Sequence, residues 1–257
     1  MSNDKMSQLM SRQPGLAEIS ILIACLMLLG GFTSVSGESR YAPPPAFSEM
    51  DVEQKKRQFF AYLSPMISEV NFRLAAERDR VRLLSASLAA GEKIGWSDRR
   101  WLKRLAARLE VDLDSMPLAD ALDLLERRAG VVPESLVLVQ AAVESGWGSS
   151  RFALEGNNYF GQRCYSEGCG MVPEQRRDGA TFGLAEFESP AESVESYILN
   201  LNTHEGYREF RRQREQRREA GKPITGLSLV EGLGNYSVRG EEYVDQIASM
   251  IRASNLE

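Results

Sequence analysis

The sequence predicts a mainly α-helical fold with a small β-lobe, and three observations predict it. From Val52 onward most of the chain carries apolar residues at the i, i+3, i+4, i+7 spacing of helices. Between Gly161 and Phe187 that period stops. There Gly168, Gly170, Gly179 and Gly183 punctuate Cys164, Tyr165, Met171, Val172, Thr181 and Phe182, the texture of a short hairpin or sheet. Finally, 257 residues with 43% apolar content suffice for one domain of ordinary size plus an extension.

In chain order, the first element concerns targeting. After a polar start carrying Lys5 and Arg12, the run Ile19 to Leu29 followed by Gly30, Gly31 and Phe32 has signal-peptide length and is short for a membrane span. Residues 1–37 therefore read as a signal peptide cleaved near Val35-Ser36-Gly37, or as an uncleaved anchor that uses residues 19–35 for inner-membrane attachment. Leu22-Ile23-Ala24-Cys25 gives a third reading, a lipoprotein signal. Each places the remainder in the cell envelope, in or facing the periplasm. Residues 38–48, with Pro43-Pro44-Pro45, read as an extended linker.

Residues 49–130 read as a helical extension. Val52 to Met66 and Val70 to Leu88 have helical spacing, with a break expected at Pro65. Arg99 to Leu109 comes next, capped by Asp98 or Ser97, and then Leu118 to Arg128. Trp96 and Trp101 are expected as core or cap residues rather than sugar platforms. The short passage from Arg128 to Val131 favours packing of this extension directly on the helix that begins at Pro133.

Pro133 to Glu144 is the most informative helix. Leu136, Val139, Gln140 and Val143 form one face, and Leu138, Ala141 and Ala142 fill most of the other. A helix apolar nearly all round is buried. Glu144 closes it, where desolvation and the negative end of the macrodipole both favour the neutral acid, a state suited to donating a proton. Gly146 and Gly148 allow a sharp turn past it. A short helix from Arg151, opened by Ser149 or Ser150, leads to the polar turn Asn157-Asn158-Tyr159-Phe160-Gly161.

Here the chain resembles a known family. Glu144-Ser145-Gly146-Trp147-Gly148 with Asn157 to Gly161, Cys164-x4-Cys169, Asn200-Leu201-Asn202-Thr203-His204 before Tyr207, and Leu233-Gly234-Asn235-Tyr236-Ser237 leading to Tyr243 occur in that order. Together they are similar to the bacterial glucosaminidase domain that cuts peptidoglycan, the superfamily also named for mannosyl-glycoprotein endo-β-N-acetylglucosaminidase, and closest to its Bax-like branch. The resemblance spans Val131 to Leu256 and assigns residues 131–257 to the glucosaminidase domain. It implies a lysozyme-like fold, peptidoglycan glycan strands as the partner, and β-1,4 cleavage with Glu144 as general acid. It also implies a role for Tyr236 near the acid, as a donor to the substrate N-acetyl group or to developing charge. Asn157, Asn158, Tyr159 and Tyr243 are its candidate substrate-binding residues. The Asn pair has a second reading, a turn that supports Phe160.

Glycoside hydrolysis commonly uses two carboxylates, about 5 Å apart in retaining enzymes and farther apart in inverting ones. The resemblance places the second in the β-lobe, where Glu167, Glu174, Asp178 and Glu186 lie with no motif to choose among them. Glu174, in Pro173-Glu174-Gln175, is the candidate that a loop can carry across a cleft. The substrate's own 2-acetamido group is the alternative nucleophile. Two rival activities stand beside hydrolysis: a lytic transglycosylase, which also works with one Glu, and a non-catalytic wall-binding scaffold.

Cys164 and Cys169 read as a disulfide, since a zinc site needs ligands that the chain, with His204 as its one histidine, does not supply. No cofactor or metal is implied, and a monomer is expected. A net charge of −5 gives no sign of nucleic acid. In the helix Ser189 onward, Val194, Tyr197, Ile198 and Leu201 should face inward, with Glu192 and Glu195 serving the helix start. His204 is expected to be structural, and Trp147 to pack against the acid helix. Arg208 to Arg218, with six arginines and two glutamates, reads as a solvated helix with pairs such as Arg211 and Glu215.

Overall fold

A 38-residue helix, α1 (Val52–Ala89), is the longest element and the one against which the others are laid. The computed structural model describes residues 40–173 and 182–257. Glu174, Asp178 and the apolar stretch 19–35 lie outside the described residues. The chain divides after Arg40, and every element named here belongs to the unit Tyr41–Glu257. No helix among the described residues is long and apolar enough to cross a membrane.

Asp51 starts α1 by accepting from the backbone N–H groups of Glu53 and Gln54, each at 3.0 Å. Phe59, Leu63, Met66, Ile67, Val70, Leu74 and Val81 form its buried stripe. That stripe runs straight past Pro65, so the expected break does not occur. Proline costs about 3 kcal/mol in a helix interior, whereas each large apolar side chain buried on either side stabilises by about 1.5–3 kcal/mol. Pro65 and Ala61, whose carbonyl the proline leaves without a helical donor, both face solvent.

Helix α2 (Trp96–Arg108) starts three residues earlier than expected, after Gly95 and without a side-chain cap. Asp98 instead pairs with Arg80 of α1 at 2.6 Å. Trp96 corrects a second expectation, because it is 75% exposed and contacts Arg100 rather than the core. Trp101 is half-buried beneath the Arg80 guanidinium, 4.2 Å from its ring centre. Helix α3 (Leu118–Arg128) and helix α4 (Glu134–Ser145) lie where the periodicity puts them. Helix α5 (Arg151–Gly156) is capped by Ser150, whose hydroxyl accepts from the Ala153 N–H.

The small β-lobe forms where the sequence texture puts it. Strands β1 (Arg163–Cys164) and β2 (Gly183–Leu184) pair antiparallel, with Arg163 opposite Leu184 and Cys164 opposite Gly183. A further bridge joins Met171 to Leu184. The Cys164–Cys169 disulfide forms as expected, with Cα atoms 6.0 Å apart, and pins the turn beside β1. Helix α6 (Pro190–Thr203) opens with a reciprocal cap: Ser189 accepts from Glu192 N–H, and the Glu192 carboxylate accepts from Glu188 N–H at 2.7 Å. Val194, Tyr197, Ile198 and Leu201 are fully buried, as their spacing requires. Helices α7 (Arg208–Glu219), α8 (Gly226–Leu229) and α9 (Glu241–Ala253) complete the fold. One continuous hydrophobic core joins the extension to the remainder, with α1 packed on α3, α4 and α6.

Helix α7 is not simply a solvated helix. Arg214 is 1% exposed and donates to the carbonyls of Arg127, Gly130 and Val131, the end of α3 and the approach to α4. Arg211 donates likewise to Leu201 and His204 at the end of α6. Arg128, on α3, serves Leu109 and Glu110 at the end of α2. Each cation donates to carbonyls at or just past a helix end and sits at the negative end of a macrodipole. The expected Arg211–Glu215 pair is absent because Arg211 is engaged at those carbonyls, and Glu215 pairs with Arg127 at 3.0 Å. Burial pushes Arg214 down to about 9, which leaves it charged at neutral pH. Gly130 makes room for it, since a Cβ there would lie 2.1 Å from the guanidinium carbon. Arg214→Ala should therefore lower stability by about 3–5 kcal/mol, the cost of emptying a fully buried side-chain site and taking the donor from the Arg127 and Val131 carbonyls, whereas the exposed Arg212→Ala should stay within about 0.5 kcal/mol. Urea unfolding of the two variants measures the difference.

Candidate active site

Helix α4 has almost no polar surface. Leu136, Val137, Leu138, Val139, Ala141 and Ala142 are buried on all sides, and so is Gln140. At its end the backbone turns through three successive left-handed residues, Gly146, Trp147 and Gly148 (φ 56°, 58° and 74°). Ser145 holds that turn. Its hydroxyl donates to the Ala141 carbonyl at 2.6 Å and accepts from the Gly148 N–H at 2.8 Å. Trp147 is a packing residue, but its ring lies against Phe60 and Phe59 of α1, with ring centres 5.2 and 5.7 Å apart, where the sequence points to the acid helix. The turn thus fixes the last helical side chains, and Glu144 lines a cleft of about 1180 Å³.

The cleft is walled by α6, the turn after it, the Gly161–Arg163 segment, the loop before α9, and Arg108 and Glu110 at the end of α2. Partial burial is the largest influence on Glu144 and raises its carboxyl above the usual range. The Tyr243 hydroxyl, donating to Oε1 at 2.8 Å, and the Arg239 charge oppose that rise. Tyr236 stacks on Tyr243 with ring centres 5.5 Å apart and planes 7° from parallel. Its hydroxyl donates to the Phe160 carbonyl at 2.8 Å. Phe160 in turn stacks on Tyr197 at 4.0 Å, and Tyr207, pushed up to about 12 mainly by burial, closes the aromatic surround. Gly161, at φ 62°, stands opposite the carboxyl: a Cβ there would lie 3.6 Å from Glu144 Oε2.

The structure sorts the sequence candidates. Tyr243 is brought directly onto the acid. Tyr236 lines the cleft with its ring, but its proton points into the protein. Asn157 adopts the left-handed C-cap conformation of α5 and donates to the Phe187 carbonyl at 2.9 Å. Asn158 is 1% exposed, and all its amide contacts are internal: it donates to Gln162 and Ala185 carbonyls and accepts from the N–H groups of Phe160 and Gln162. Tyr159 is buried beside Phe59. Asn158 and Tyr159 therefore shape the turn beneath the cleft and do not line it, because the chain's sharp reversal into Gly161 consumes the Asn158 amide and Tyr159 is buried. His204 accepts from Gly206 N–H, the structural role expected.

Glu174 and Asp178 lie outside the described residues. Glu167 and Glu186 are exposed and do not line the cleft. Of the described carboxylates that line it besides Glu144, Glu192 serves the start of α6, Glu195 pairs with Arg73 of α1 at 2.5 Å, and Glu110 stands in the wall at the end of α2. Sequence reasoning missed Ser145 and the buried Gln140. Gln140 carried a signal all the same: an amide placed one helical turn before Glu144 on a face that is otherwise aliphatic.

A half-dry carboxyl with a phenol donor, lining a polar cleft, is chemically suited to give up a proton there. The family described as mannosyl-glycoprotein endo-beta-N-acetylglucosaminidase matches residues 119–256. Protein Bax of Escherichia coli K12 is 33% identical over 198 residues, covering 76% of this chain and 68% of that protein. The chain belongs to the glucosaminidase family and is thus a glycoside hydrolase. The match begins within the helical extension, at α3. The catalytic domain of the autolysin Auto from Listeria monocytogenes aligns with 68% of this chain and 94% of that domain at 19% identity and a TM-score of 0.38, a likeness too distant to bear on the site.

Because folding raises the Glu144 pKa, the carboxyl has a signed effect on stability. Below the ordinary carboxylate range the group is protonated in both states and has no effect. As pH rises through that range and past the raised value, the folded chain loses stability relative to the unfolded one. Glu144→Gln should therefore raise the melting temperature by about 1–4 °C at pH 7 and leave it unchanged near pH 3, where calorimetry on both proteins makes the comparison.

Proposed function

We propose that this protein is a peptidoglycan hydrolase, an endo-β-N-acetylglucosaminidase that cuts β-1,4 bonds of the glycan strand with Glu144 as general acid. The observation that carries the reading is the Glu144 carboxyl itself, held above the usual carboxylate range at the end of a buried helix and open to a cleft of about 1180 Å³. A proton on that carboxyl at working pH can pass to the glycosidic oxygen as the bond breaks. The Tyr243 donor stabilises the carboxylate left behind. Family membership supports the sugar chemistry.

The base or nucleophile is supplied in one of two ways in this proposal: by Glu174, on the segment between β1 and β2, or by the substrate's 2-acetamido group. Export to the cell envelope is part of the same reading. The Cys164–Cys169 disulfide supports it, since such bonds persist in oxidising compartments, and so does the signal-like run at residues 19–35. The rings of Tyr236 and Tyr207 give the cleft apolar faces on which sugars can rest.

The reading is tested by digesting purified peptidoglycan with the protein and with its Glu144→Gln variant, identifying released fragments by mass and end group. Reducing N-acetylglucosamine ends should appear with the unmodified protein alone, and the variant should be slower by at least about a hundredfold. Anhydro ends would reassign the enzyme as a lytic transglycosylase. Binding without cleavage by either protein would favour a wall-binding scaffold.

A further inference from the structure

We infer that Gln140 is a positioning residue for the acid: it sets the direction of a buried hydrogen-bond chain through Tyr197, Gln140, Tyr243 and Glu144, and so leaves Oε2 of Glu144 as the oxygen that carries the transferable proton. The inference rests on the reading of Glu144 as general acid and deepens it.

A primary amide has a fixed polarity: its oxygen only accepts and its nitrogen only donates, whereas a tyrosine hydroxyl does both. The Tyr197 hydroxyl donates to Gln140 Oε1. Gln140 Nε2 then faces the other way and donates to the Tyr243 oxygen at 2.9 Å. Tyr243 already receives a hydrogen bond from the amide, and its own proton goes to Glu144 Oε1 at 2.8 Å. Every link points toward the carboxyl. An amide turned the other way would draw the Tyr243 proton to itself and leave Oε1 with no phenol donor.

Gln140 is fully buried, and the Tyr197 ring is stacked on Phe160, so neither end of the amide exchanges its partner for water. With Oε1 held as an acceptor, the acidic hydrogen belongs on Oε2. Gly161 is the residue opposite that oxygen, and its missing side chain keeps the approach open. When the Oε2–H bond breaks, the proton passes to the glycosidic oxygen and the electron pair stays on the carboxylate. The Tyr243 hydrogen bond then becomes charge-assisted and stronger. No proton moves along the chain. Its contribution is therefore greater after transfer than before, which places it in kcat rather than in KM.

The titratable and charged groups facing the Glu144 carboxyl are Tyr243 on α9, Arg239 and Tyr236 before it, Tyr197 on α6 and Tyr207 after α6. Arg239 is the cation among them and is held by Gln246 and Glu242, over the Tyr243 ring. The basic limb of the activity profile, where Glu144 loses its proton, reports the donor that Gln140 directs.

The test measures kcat, KM and their pH dependence on a soluble peptidoglycan glycan fragment for Gln140→Met, Tyr243→Phe, the double variant and Tyr197→Phe, beside the unmodified protein and Glu144→Gln. Loss of a donor to the charged form raises the acid's pKa, so the basic limb should move to higher pH by about half to one unit in Gln140→Met and Tyr243→Phe alike. Gln140→Met should lose about tenfold in kcat with KM within about twofold, the scale of one hydrogen bond to a charged group. The double variant should be no slower than Tyr243→Phe. If Gln140→Met does not fold, Tyr197→Phe, which keeps the ring stack and frees the amide to turn, should still move the limb the same way with about a threefold loss in kcat. An unmoved limb in these variants, or losses that multiply in the double variant, would overturn the positioning role while an inactive Glu144→Gln leaves the acid in place. Full activity in Glu144→Gln would instead remove the acid reading on which the inference rests.

Discussion

Helix α4 has no solvent face, and most of the structure serves to enclose it. Its aliphatic side chains are covered by α1, α8 and α9. Closing off every side leaves only its end for chemistry. A carboxyl at that end is partly stripped of water by the same packing that stabilises the helix. Folding and acidity are therefore coupled: the burial that holds α4 in place is what disfavours the charged form of Glu144.

Such an arrangement needs close placement of backbone around the helix, and here electrostatics supplements packing. Arg214 draws together the end of α3 and the approach to α4, while Arg211 gathers the end of α6, whose side chains wall the cleft. Arg128 does the same for the end of α2, next to Glu110 in the cleft wall. Three helices, two of which place residues in the cleft wall, thus end on guanidinium groups. Hydrogen bonding to several carbonyls compensates for removing these cations from water, and buried apolar contacts alone lack that directionality.

The sequence displays some of this plainly and hides the rest for physical reasons. Helices α3, α4 and α6 show in their apolar period, because each buries a stripe or a whole circumference. The continuity of α1 is hidden at Pro65, since the local rule concerns a lost backbone donor and cannot weigh seven buried side chains on both sides of it. Glu144 and the tyrosines around it are legible as candidates from order and spacing. Asn158 is not: an amide that binds sugar and one that ties a turn look identical until its four partners are visible. The Arg208 to Arg218 run misleads for a similar reason. Its charge pattern records the side chains, whereas the fates of Arg211 and Arg214 are decided by carbonyls supplied by distant segments. Gln140 falls between these cases, visible as an oddity but with no partner until α6 and α9 are in place.

Trp147 carries a consequence for what counts as a self-sufficient piece of this chain. It lies three positions beyond the acid, yet it packs on Phe59 and Phe60, which lie some sixty residues before the family match begins at residue 119. The stretch that bears the family's name and the body that holds the acid steady are therefore different lengths of polypeptide. A fragment cut at the family boundary would keep each candidate catalytic residue and lose the wall against which the turn after Glu144 is braced.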